Sequence, residues 1–114
     1  MKSKYTKSER AILRELATAA WNAELNDSLK GLYEAFGQWA DGGMNAFELS
    51  DRIHVFHDGI ARELYKRYTM LDGSIAVARA VALGLIGEDA LRGALAEKLA
   101  PAIKAFRTNA KRDL

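Results

Sequence analysis

Apolar residues recur at intervals of three and four along almost the whole chain, and this spacing does most to limit what the chain can fold into. A period near 3.6 lines side chains up along one face of a helix. No segment keeps the alternation by two, or the β-branched enrichment, that a half-buried strand requires. The fold class is therefore expected to be all-α, a compact bundle of four to five helices. With 114 residues the chain is long enough for one real core and too short for two, so a single domain over 1–114 is expected.

Start and stop signals divide the pattern. Thr6 and Glu9 have capping-box spacing, and Ile12, Leu13, Leu16, Ala17 and Ala20 follow at helical intervals. From Trp21 a second stripe runs through Leu25, Leu29, Leu32, Phe36 and Trp39, and its centre lies well around the helix from the first. The helix is then either buried on two sides or kinked, with Asn26, Asp27 and Ser28 as the weak formers where a second helix could start. Asp41, Gly42 and Gly43 predict a stop. A helix from about Asn45 to Tyr68 sets Leu49, Ile53, Phe56, Ile60 and Leu64 on one face, which is expected to be core. Asp72 and Gly73 mark a turn, Ser74 suits a cap, and a short Ala-rich helix runs to about Leu83. A last helix from about Glu88 aligns Leu91, Leu95, Leu99, Ile103 and Phe106, with Pro101 expected to kink it or end its first half.

Charge is segregated more than the net +2 suggests. Residues 1–14 and 98–114 each carry five basic residues and one acidic one, whereas residues 15–97 carry seven basic and thirteen acidic ones. An acidic body with polar basic ends, about 1–6 and 107–114, argues against a uniformly cationic nucleic-acid surface. The absence of cysteine removes thiolate chemistry, disulfides and Cys-based metal sites and fits a cytoplasmic setting. The polar, basic start is unlike a secretory leader. The most apolar window, Ile75 to Ile86, is far short of a membrane span and holds Arg79.

Both histidines fall within four residues of each other. On a continuous helix Asp51, His54, Asp58, Arg62 and Tyr65 gather on a polar face beside the apolar stripe, with His57 at the stripe's edge. Arg79, otherwise stranded among apolar residues, is expected to reach Asp51 or Asp58 across a close helix contact at Gly59. Imidazole and carboxylate at this spacing make His54, His57 and Asp58 the metal-ligand candidates, although two histidines are few for a helical metal centre. Ser50, His54 and Asp58 also stand at steps of four, but no strained turn or oxyanion loop accompanies them. The bland alternative packs the histidines beside the core and pairs Asp58 with Arg62 and Glu48 with Arg52.

These readings favour a small soluble protein-interaction or regulatory module that binds a protein partner, its own copy in a homodimer included. No cofactor is implied, and no reaction is demanded. The alternatives are a metal-binding module or small metal-dependent enzyme centred on His54, His57 and Asp58, and a weak nucleic-acid binder. The second would use its basic ends with Tyr65, Lys66, Arg67 and Tyr68.

Overall fold

A computed structural model describes residues 4–112, with side chains to residue 109. The outermost parts of the two basic ends lie outside the described residues. Five α-helices account for most of the remainder: α1 (Lys7–Ala40), α2 (Ala46–Phe56), α3 (Arg62–Met70), α4 (Gly73–Ala82) and α5 (Ala94–Arg112). Among the described residues there is no strand.

Helix α1 begins at the expected capping box, where the Glu9 amide donates to Thr6 Oγ1 and the Thr6 amide donates to Glu9 Oε1. It then runs for 34 residues without a break, about 50 Å at 1.5 Å per residue. Of the two readings of its stripes, the structure takes burial on two sides. Ser28 does not start a new helix, because its hydroxyl donates to the Glu24 carbonyl one turn back. Asp41 caps the far end, and Gly42 turns the chain in the left-handed region at φ 85°.

The first stripe of α1 belongs to the main core. Leu13 packs with Val77, Ala78 and Val81 of α4 and with Leu95, Leu99 and Ile103 of α5. Helix α4 is buried nearly all round, and its small side chains let α1 and α5 close on it from either side. Its cap is Asp72 rather than Ser74: the Ser74 amide and hydroxyl both donate to Asp72 Oδ1, so the helix starts at Gly73. The last helix begins later than its spacing predicts. Glu88–Ala90 make one 3₁₀ turn, Leu91 is extended, and Gly93 has φ 59°, so α5 starts only at Ala94. Pro101 does not end α5, since it lies on the exposed side where water can satisfy the carbonyl it frees.

The second stripe of α1 meets α2 and α3, and here the expected compactness fails. The molecule measures 56 × 30 × 23 Å, with a radius of gyration of 17.6 Å against about 13 Å for a compact chain of this length. The distal half of α1 and helix α2 form a two-helix arm whose own buried core is only Ala35, Met44 and Leu49. Two helices without a third cannot enclose an apolar face. Of the stripe predicted to be core, Leu49 and Leu64 are buried, Phe56 is half-buried, and Ile53 and Ile60 are exposed.

Candidate functional site

Between α2 and α3 the chain makes a π-helical turn, His57–Ala61. Such a turn inserts in effect one extra residue and sets back everything after it by about 100° relative to an unbroken α-helix. The polar face drawn across residues 51–65 is therefore not continued from α2 into α3. Asp51 and His54 lie exposed on α2, outside the groove that takes up the rest. His57, Asp58, Arg62 and Tyr65 line that groove, of about 460 Å³, together with Ala61 and with Trp21 and Leu25 of α1. Among the described residues no ion pair joins Asp58 to Arg62 or Glu48 to Arg52. Gly59 serves no close helix contact, since a Cβ placed there would meet nothing within 4 Å.

Arg79 has a carboxylate partner, but it is Glu24 rather than Asp51 or Asp58. The guanidinium grips both carboxylate oxygens, Nη1 to Oε2 at 3.2 Å and Nη2 to Oε1 at 3.1 Å. Tyr68 Oη donates to Oε2 at 2.6 Å, and Arg67 Nη1 stands 3.5 Å from Oε1. Burial works to raise the Glu24 carboxyl, but the hydrogen bonds from Arg79 and Tyr68 and the charges of Arg79 and Arg67 outweigh it and hold it below the usual range. The Tyr68 phenol is pushed up to about 12, first by burial and then by its hydrogen bond to the Glu24 carboxylate. Trp21 stacks on the Tyr68 ring, with centroids 5.9 Å apart and planes 8° from parallel, and meets Tyr65 edge-on at 6.0 Å. This cluster fastens α3 and α4 to the middle of α1, and its Trp21 and Tyr65 line the groove.

Trp21, Leu25 and Glu24 stand out in the structure more than in the sequence. Trp21 and Leu25 read as members of an apolar stripe, and no spacing sets Glu24 apart from the other carboxylates of α1. The spacing of Tyr65 and Tyr68, three apart on α3 and so on one side of it, is the signal for the aromatic cluster, since both rings meet Trp21. Among the described residues no group of three His, Asp or Glu side chains is placed to hold a metal ion, His54, His57 and Asp58 included. Of the side chains considered for phosphate contacts, Arg67 and Tyr68 are engaged with Glu24, and Arg107 with Glu88.

Compared with protein families, curated proteins and solved structures, the chain matches none. Among the described residues no helix is long and apolar enough to cross a membrane.

The groove opens onto a broader apolar flank of the arm. Ala35 faces α2, and on the 100° wheel Leu25, Phe36 and Leu29 lie about a quarter to a third of a turn from it, on the side of the groove. Leu29, Phe36 and, on α2, Ile53 each keep about 40% of their surface exposed, and Tyr33 keeps 79%. Leu25, Leu29, Leu32, Phe36 and Trp39 alternate by four and three, the spacing of a seam that packs against another helix. Within the described residues that seam is only half covered.

Proposed function

We propose that this chain is a protein-interaction module that works as a homodimer, with the groove-side flank of the arm as the contact between copies. The observation that carries this reading is the row of partly exposed apolar side chains at seam spacing, Leu29, Phe36 and Trp39, on an arm with almost no core of its own. Contiguous apolar surface of this kind is rare on a monomer. Its size also fits: about 30 Å of two adjacent helices, roughly 20 Å wide, is a face from which an interface near 800 Å² per partner can be drawn. A second copy offers the same seam, and a two-fold axis makes such a surface self-complementary.

Light scattering on the eluting protein tests the proposal. At tens of micromolar the expected mass is twice the 12.6 kDa of the chain. Phe36→Glu is expected to return it to the single-chain mass with helical circular dichroism unchanged, because Phe36 is not part of the main core. A wild-type protein of single-chain mass at 100 µM would remove the reading.

A further inference from the structure

Resting on the homodimer just proposed, we infer that its two arms run antiparallel, so that the tip of each arm covers the partner's groove between Trp21, Leu25 and Ala61. The first argument is charge. Residues 26–56, which make up the arm, carry five carboxylates and two cations, while the groove wall holds Asp58 beside Arg62. Helix α3, which supplies Arg62 and Tyr65 to the groove wall, carries three cations and one carboxylate, and its Arg62 and Lys66 are exposed. Arms stacked tip to tip would bring two acidic segments together. Arms running in opposite directions bring each acidic tip to the partner's cationic α3 instead.

The second argument is length. A two-fold axis crossing α1 midway between Leu29 and Phe36 sets Leu29 of one copy against Phe36 of the partner subunit. The loop at Gly42–Met44 then lies about 17 Å beyond the axis, and Trp21 lies about as far on the other side. The partner's tip is thereby carried to the level of Trp21, where Tyr65 forms the groove wall. The same register sets Ala40 level with the partner's Leu25. The seam, the groove and the charge pattern thus agree on one arrangement, and in it the groove is completed by the second chain.

The chain has no cysteine, so single introduced cysteines report contacts without background. Three variants, Tyr33→Cys, Ala40→Cys and Ala61→Cys, are treated with a short bismaleimide and read as cross-linked dimer on a denaturing gel. Tyr33→Cys lies beside the axis and is expected to link to its own copy. Ala40→Cys alone is expected to give no dimer band, because its two copies are about 22 Å apart along the helices. After mixing and re-equilibration with Ala61→Cys, Ala40→Cys is expected to link across to it. Strong self-linking of Ala40→Cys, with no linking to Ala61→Cys, means a tip-to-tip dimer and overturns the antiparallel arrangement while the homodimer stands. No link at Tyr33→Cys in a protein of dimeric mass moves the contact to another face and overturns it as well. Single-chain mass by light scattering of the same variants and wild type shows instead that the homodimer itself is wrong.

Discussion

Glu24 holds side chains from three helices: it lies on α1, receives Tyr68 and Arg67 from α3, and is gripped by Arg79 from α4. Its side chain is only 15% exposed, so removing its charge leaves Arg79 with a weakened partner in a mostly dry setting. Glu24→Gln is expected to cost about 2 kcal/mol in urea unfolding, the scale of hydrogen bonds to charged groups. The same change at exposed Glu15 should stay within about 0.5 kcal/mol. The pH dependence has a definite sign. A carboxyl held below its ordinary value of 4.5 in the folded state contributes stability that is fully present above that value and is lost as pH falls through the lowered one. Wild type and Glu24→Gln should therefore differ by a constant amount near neutrality and converge below pH 4.5. At the alkaline end the folded state keeps the Tyr68 proton that the unfolded chain loses near pH 10, so stability should decline between about 10 and 12. Tyr68→Phe should flatten that decline. An arginine amid apolar residues signals a buried or half-buried partner, and that much was legible at Arg79. The identity of the partner was not, because 55 residues separate Arg79 from Glu24 and the pairing is set by how α1 and α4 pack.

At the level of elements, helical periodicity and end signals placed the starts of α1 and α2 and both ends of α4 within a residue or two, Thr6 acting as a cap through neighbouring amides that spacing alone identifies; they left the continuity of α1 at Asn26–Ser28 open and drew α2 and α3 as one helix. The π turn at His57–Ala61 was invisible to the same reasoning. A wheel drawn at 100° per residue assumes one period throughout, and one inserted residue is enough to separate Asp51 and His54 from Arg62 and Tyr65. Gly59 was misread as a helix contact. It stands in this turn with open space around the position of a Cβ and with no left-handed backbone to require glycine. Gly59→Ala is accordingly expected to raise stability by about 0.5–1 kcal/mol through the unfolded state and the helix propensity of alanine. Chemical denaturation of the variant measures this, and a loss of stability would mean that the turn itself depends on glycine. Ile60 lies within the turn and leaves the stripe there, whereas Ile53 stands before it on the same helix as buried Leu49 and is exposed because no third helix covers the arm.

For the whole molecule, the elongated shape decides how stability must behave. The base, formed by the first half of α1 with α4 and α5, has a continuous core, whereas the arm buries only Ala35, Met44 and Leu49. If the arm gains its missing contacts from a second copy, folding is coupled to association and the melting temperature depends on protein concentration. A hundredfold change in concentration is worth about 2.7 kcal/mol to a dimer. Set against an unfolding entropy of about 0.48 kcal/mol/K for two chains of this length, it should move the midpoint by roughly 6 °C. Calorimetry at 5 and 500 µM would read this shift directly, with Phe36→Glu as the control whose midpoint should not move. A wild-type midpoint that is also independent of concentration would mean that the arm stands without a partner. Its exposed Phe36 and Trp39 would then have to be tolerated by a monomer, and the acidic tip and cationic α3 would face no opposite charge across an interface.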